Sequence, residues 1–198
     1  MAYDINKVSV FENELLLIDD SLINVARDLI NGLPDYFFFI PASSSGKYHP
    51  ASSLGVGGLI RHTKSAVALA QSLMLLENYW DIKEKQSEII LALILHDGFK
   101  QGNFESGNTR FDHPLQCGRY IEQYMNNNKL DQYTIDKLSL IKSLVESHMG
   151  QWNLDSSGVE ILPYPSNRLE FFVHLCDFIA SRNFLEINLK EVKYVKNI

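Results

Sequence analysis

Hydrophobic residues recur every three or four positions along most of the chain, which is the pattern of amphipathic helices. It predicts helices over residues 15–30, 59–79, 84–97, 111–124, 134–148 and 169–184, with Asn31-Gly32 ending the first. Residues 185–198 predict a short C-terminal helical tail. With about six to eight helices and little strand, the pattern indicates an all-α fold.

Three segments between these helices are too rich in glycine, serine, proline or polar residues to be helical: 41–58, 101–110 and 150–167. Long loops in compact domains often carry function, and we interpret residues 101–110 as a mobile flap. The aromatic run over residues 36–40 predicts either a short strand or an extended segment packed on the core.

A length of 198 residues indicates a single domain. A domain of this size buries roughly 70% of the surface that the unfolded chain exposes. We divide it into an N-terminal helical scaffold over residues 1–40, a core over residues 47–182 that contains the candidate site, and the tail over residues 185–198. No internal repeat or linker interrupts this division.

Composition and charge narrow the classes of partner. The net charge of −6 argues against a broad basic face for duplex nucleic acid. Cys117 and Cys176 are isolated, which fits a reducing compartment. The N-terminus lacks a signal-peptide pattern, and no apolar run approaches the roughly 18 residues of a membrane span. We therefore expect a cytoplasmic protein without a membrane partner, whose homo-oligomeric state stays open.

Six polar side chains recur on the inner faces of the predicted helices or at their ends: His62, His96, Asp97, His113, His148 and Asp177. A buried imidazole or carboxylate is costly unless it is hydrogen-bonded or bound to a metal ion. Taken singly, an inward histidine is an ordinary core residue with satisfied hydrogen bonds. Four imidazoles and two carboxylates together exceed what such a core contains, so the sequence predicts a metal site.

The order of these residues resembles the H…HD…H…H…D pattern of the HD-domain metal-dependent phosphohydrolase superfamily, which has an all-α fold. The resemblance covers roughly residues 47–182. It implies that His62, His96, Asp97 and Asp177 hold one metal ion, and that Asp97 bridges to a second ion held by His113 and His148. The implied cofactors are two divalent transition-metal ions, Mn, Fe, Co or Ni, which suit mixed nitrogen and oxygen ligands.

Two such cations can lower the pKa of a bridging water, polarise a phosphoryl group and clamp an in-line displacement. The resemblance therefore implies a hydrolase that cleaves a phosphate ester or phosphodiester bond with a metal-bridged hydroxide. The expected substrate is a small nucleotide or a short single-stranded oligonucleotide.

Lys100 matches the lysine of the family's HDxxK variant and would bind a phosphoryl oxygen; the alternative is a solvated surface lysine. Gly-Lys-Tyr-His-Pro and Gly-Gly-Leu-Ile-Arg-His-Thr look like a stretch in HD domains of bacterial 3'-5' exoribonucleases and related phage and prophage proteins. This implies that Lys47, His49 and Arg61 face the substrate. Asp97, Lys100 and His49 are the predicted catalytic residues, with His49 protonating the leaving oxygen unless it only packs the loop.

Trp152 either packs its loop or stacks on a base as a further substrate-binding residue. Two departures from the family limit the substrate. Only about 40 residues precede the first loop, so the additional nucleic-acid-binding domain of the exoribonucleases is not expected. His-Asp-Gly-Phe-Lys replaces the His-Asp-Ile-Gly-Lys of cyclic dinucleotide phosphodiesterases, and Gly-Tyr-Pro is absent. The alternatives are a 3'-5' exonuclease on single-stranded RNA or DNA, and a non-catalytic metal- or nucleotide-binding regulatory module.

Overall fold

The computed structural model describes residues 5–43 and 45–183. This part of the chain contains nine α-helices and no β-strand, which confirms the all-α prediction. The predicted tail over residues 185–198 lies outside it. The helices are α1 Lys7–Val10, α2 Glu12–Leu15, α3 Ile23–Asn31, α4 Gly58–Leu73, α5 Trp80–Lys83, α6 Gln86–Leu95, α7 His113–Asn127, α8 Gln132–Glu146 and α9 Arg168–Ala180.

Helix α6 forms the centre of the core. Every residue from 87 to 95 is buried, and the helix packs against α4, α8 and α9. A helix that is apolar on all sides is stable only when it is surrounded in this way. Its C-terminal end therefore lies inside the protein, where His96 and Asp97 follow directly. Over the residues described above, no helix is both long enough and apolar enough to cross a membrane.

The prediction of a single helix over residues 15–30 is wrong, because a turn separates α2 from α3. Asp19 ties this turn to the core: its backbone N–H donates to Ser87 Oγ at 3.0 Å, and its carboxylate accepts from Ser87 and Lys137. Hydrogen bonds of this kind compete with helix formation. The apolar residues of the predicted stripe still face the core, but these tertiary contacts replace one long helix by α2, a turn and α3.

The helix predicted over residues 59–79 ends early, at Leu73, and is followed by the 3-10 helix Glu77–Tyr79. The segment is held against α9, because Arg168 donates to the Asn78 carbonyl and the Tyr79 ring lies 5.1 Å from the Phe172 ring. These contacts fix a bend that the apolar periodicity does not predict.

The aromatic run packs on the core, as one alternative predicted, but in neither of the two expected conformations. It forms the 3-10 helix Asp35–Phe38, in which Phe37 and Phe38 are fully buried with their rings 5.1 Å apart. Both rings also contact Phe11, between the first two helices. The free energy gained by burying these large apolar rings is greater than the preference of aromatic residues for an extended backbone.

Candidate metal centre

Five segments of the chain bring the six predicted ligands together. His96 and Asp97 follow α6, and the other ligands come from α4, from the first position of α7, from the turn after α8, and from α9. Five of the six side chains belong to residues that are at most 2% exposed. The members of the cluster are His62, His96, Asp97, His113, His148 and Asp177.

Asp97 lies between two pairs of histidines. Its Oδ1 is 3.0 Å from His113 Nε2 and 4.0 Å from His148 Nε2. Its Oδ2 is 3.5 Å from His96 Nε2 and 3.9 Å from His62 Nε2. The two oxygens of one carboxylate therefore face two different sets of imidazoles.

Asp177 completes the set on the Oδ2 side. Its Oδ1 lies 2.9 Å from His62 Nε2 and 3.5 Å from His96 Nε2. Three trios of ligand atoms in the cluster each lie within 4.8 Å of one another, and so could hold a metal ion. The trios are His62 with His96 and Asp97, His96 with His148 and Asp177, and Asp97 with His113 and His148.

Backbone carbonyl groups fix the orientation of three of the imidazoles. In each, Nδ1 donates to the carbonyl oxygen three residues earlier, at 2.6 Å for His96, 2.6 Å for His113 and 2.7 Å for His148. Because a carbonyl only accepts hydrogen bonds, Nδ1 carries the proton. In the neutral ring, Nε2 then presents its lone pair to the cluster, which is the state of a metal-ligating histidine.

Several of these nitrogen atoms lack a hydrogen-bond donor. His113 Nε2 and His148 Nε2 lie only 3.3 Å apart, so in the neutral rings two lone pairs face each other. His96 Nε2 is buried with two carboxylate oxygens, Asp97 Oδ2 and Asp177 Oδ1, each 3.5 Å away. Buried acceptors without a donor are destabilising, and a cation between them would remove this cost. The residues present therefore fit a metal ion.

The charges of the cluster also favour a cation. Burial raises the pKa of Asp97, but Lys100 and His96 lower it well below its usual range. Burial also raises the pKa of Asp177, which hydrogen bonds with His62 and His96 lower more strongly. Burial and the neighbouring His96 lower the pKa of His148 to about 3. At neutral pH both carboxylates are ionised, and the His148 ring is neutral.

A cleft of about 420 Å³ gives access to the cluster. This volume lies within the range of small-molecule sites. Five of the six ligands border it, and the remaining lining residues are Tyr48, His49, Lys100, Thr109, Met149, Trp152, Ser181 and Arg182. The arrangement can therefore bring a small polar molecule to the buried ligands.

Three of the predicted substrate-contacting residues lie in this cleft. Lys100 Nζ is 2.5 Å from Asp97 Oδ2. The His49 ring lies 5.5 Å from the His62 ring, and its Nδ1 has no hydrogen-bond partner among the residues described. Burial, His62 and Lys100 lower the pKa of His49 to about 4. Trp152 is 42% exposed and stacks on Phe178 with the ring centroids 5.5 Å apart.

The other two, Lys47 and Arg61, are not among the residues that line the cleft. The Arg61 guanidinium donates to the carbonyl oxygens of Ser52, Leu54 and Val56, and so fastens the loop to α4. Lys47 Nζ lies 5.1 Å from the centroid of the Tyr48 ring. A role for either residue in substrate binding stays a prediction.

Arg182 is the cleft residue that sequence reasoning missed most clearly. It lies five residues after Asp177, just beyond the end of α9. The signal available was a basic residue close to a predicted ligand. The direction of the Arg182 side chain depends on the path of the backbone after α9, which helical periodicity does not specify.

Comparison of the chain with protein-family models, with curated proteins and with solved structures finds no match. Membership of the HD-domain superfamily therefore stays a prediction from the motif.

Proposed function

We propose that the protein is a metal-dependent phosphohydrolase or phosphodiesterase of the HD-domain type, acting on a nucleotide or a short single-stranded oligonucleotide. One observation carries the proposal: the Asp97 carboxylate lies between two pairs of imidazoles beside a cleft that also contains a lysine. Carboxylates and neutral imidazoles around a shared carboxylate are a ligand set for two divalent cations.

His62, His96, Asp97 and Asp177 would hold one ion, and Asp97, His113 and His148 would hold the other. Divalent Mn, Fe, Co or Ni suits this donor set. When bound, the pair supplies Lewis-acid activation of the phosphoryl group and of a water molecule.

The remaining cleft residues would bind and orient the substrate. Lys100 neutralises charge at a phosphoryl oxygen, because its ammonium group is within reach of both Asp97 and the cleft. His49 borders the same space with a low pKa, and a cation nearby would lower it further. A neutral His49 ring that hydrogen-bonds to the substrate is therefore favoured over the protonated donor expected from the resemblance.

The test is metal analysis of protein purified without chelators, followed by an assay in manganese-supplemented buffer. We expect bound transition metal and hydrolysis of bis-p-nitrophenyl phosphate, with at least one member of a nucleotide panel cleaved. Protein that contains no transition metal and leaves all of these compounds intact would rule the proposal out.

A further inference from the structure

The Arg182 guanidinium lies among three aromatic rings on the wall of the cleft. Its central carbon is 4.3 Å from the centroid of the Phe178 ring, 5.6 Å from that of Tyr48 and 5.8 Å from that of Trp152. Stacking of this kind holds the planar group in one orientation while leaving its edge available for hydrogen bonds.

One edge of this guanidinium is available. Nη2 donates to Ser181 Oγ at 2.8 Å, and Nε is shared between Ser181 Oγ and the Phe178 carbonyl. Nη1 has no hydrogen-bond partner within the described ranges, and no carboxylate there lies within ion-pair distance of the group. Arg110 and Arg168, by contrast, each pair with an aspartate. An oriented guanidinium in a cleft without such a partner is suited to bind an anion.

The cleft therefore contains two separate cationic groups. Lys100 lies beside Asp97 in the metal centre, whereas Arg182 lies among the aromatic side chains. Tyr48 and Trp152 provide flat surfaces on which a nucleobase can stack. A substrate that uses all of these groups has a phosphate at the metal centre, a nucleoside against the aromatic rings, and a further phosphate at Arg182.

We propose that Arg182, with Trp152 and Tyr48, forms a subsite for a nucleoside and a second phosphate group. This rests on the proposed function and specifies its substrate class: a short oligonucleotide that has a phosphate group one nucleoside away from the bond that is cleaved. In the reaction, a water oxygen forms the new bond to phosphorus, the bond from phosphorus to the leaving nucleoside oxygen breaks, and that oxygen takes up a proton.

Hydrolysis of an adenosine dinucleotide with and without a terminal 5'-phosphate tests the subsite, with bis-p-nitrophenyl phosphate as a compound too small to span it. We expect wild type to prefer the phosphorylated dinucleotide. Arg182→Gln should reduce that preference by about tenfold to a hundredfold, the usual effect of losing a hydrogen bond to a charged group. Arg182→Lys should retain part of it, because the charge remains without the planar fork.

Arg168→Gln is the matched control, since it removes an arginine from the other end of α9, paired with Asp81 outside the cleft. It should keep the wild-type preference. If bis-p-nitrophenyl phosphate is hydrolysed but Arg182→Gln retains the full preference, the subsite is overturned while the proposed function stands.

If no diester is hydrolysed, a binding measurement can still test the subsite separately from the proposed catalytic function. The chain has two tryptophans, so Trp80→Phe leaves Trp152 as the only one. Adenosine 3',5'-bisphosphate should quench its fluorescence at lower concentration than adenosine monophosphate, and Arg182→Gln should remove the difference. Equal affinity for the two ligands in the Trp80→Phe protein would contradict the subsite, whatever the fate of the catalytic proposal.

Discussion

Asp97 is the residue on which the geometry of the candidate site depends. It is almost fully buried, and each of its carboxylate oxygens faces its own pair of imidazoles. Asp177 lies closest to the set that contains His62 and His96, at 2.9 Å and 3.5 Å, and within 4.8 Å of a ring nitrogen of His148. The two carboxylates therefore have unequal roles: loss of Asp97 affects both sets of ligands, whereas loss of a histidine affects one.

This inequality gives a prediction about metal content. Asp97→Ala should remove both ions, because it deletes the ligand shared by the two sets. His148→Ala should spare the ion held by His62, His96 and Asp177. Inductively coupled plasma mass spectrometry on protein purified without chelators measures the difference. Lys142→Ala, which removes a surface partner of Glu122, is the control and should match wild type. Equal metal content in the Asp97 and His148 variants would contradict a bridging carboxylate.

At the scale of single residues, the sequence predicts the members of the buried cluster better than it predicts which residues line the cleft. Helical periodicity reports which side chains face inward, and it predicts that His62 and Asp177 face the core. The structure brings both into the cluster. Arg61 and Arg182 show the limit. Both are arginines within five residues of a predicted ligand, yet one fastens a loop and the other lines the cleft. What separates them is the path of the backbone outside the helices, which periodicity does not describe.

Among the elements, the turn between α2 and α3 shows how tertiary contacts override a helical pattern. The carboxylate of Asp19 accepts hydrogen bonds from Ser21, Ser87 and Lys137, so the turn is held against α6 and α8. Lys137 is itself buried and also donates to Ser21. The apolar stripe of residues 15–30 contains no signal for these partners, because they lie up to 118 residues away in the chain.

Asp19 gives a prediction about acid stability. Burial raises its pKa, but hydrogen bonds from Ser21, Lys137 and Ser87 lower it from 3.8 to about 2. Because the pKa is lower in the folded state, the stabilisation is fully present above about pH 4 and is lost as the pH falls towards 2. Asp19→Asn should therefore lower the free energy of unfolding by about 1 kcal/mol at neutral pH, since the side chain is half exposed.

Urea denaturation from pH 2.5 to pH 7 tests this prediction. The difference between wild type and Asp19→Asn should shrink as the buffer becomes more acidic. Asp20→Asn, a change at the exposed neighbouring position, should leave the free energy of unfolding close to wild type at every pH. If the difference in free energy of unfolding between wild type and Asp19→Asn stayed constant across this pH range, the charge of Asp19 would not contribute to stability.

For the whole molecule, the candidate site and the core are arranged around the same helix. The candidate ligands come from residues 62 to 177 and meet because α4, α8 and α9 pack around α6, and because α7 packs against α8. The sequence predicts this arrangement in outline, since the apolar run in α6 indicates burial and His96 and Asp97 follow it. In the unfolded chain the same ligands are far apart, so a metal ion would bind the folded state preferentially.

Metal removal should therefore lower the melting temperature. At an ion concentration about a hundred times the dissociation constant, preferential binding stabilises the fold by about 2.7 kcal/mol. For a chain of this length that corresponds to a decrease of roughly 5–10 °C after dialysis against a strong chelator. Differential scanning fluorimetry measures it, and manganese should restore the original value. Asp97→Ala should not respond to either treatment. A wild-type melting temperature that is the same with and without metal would contradict a site assembled by folding.

The hydrogen bonds of Arg61 have a consequence for how a ligand enters the cleft. Arg61 is adjacent to His62 on α4, and its guanidinium fastens three carbonyl groups of the loop that follows Tyr48 and His49. Folding therefore already removes part of the conformational entropy of this wall, and a ligand has less chain left to order when it binds. A ligand therefore docks against a preorganised surface on this side of the cleft, rather than closing a loose loop around itself. Such a surface discriminates between ligands by their shape.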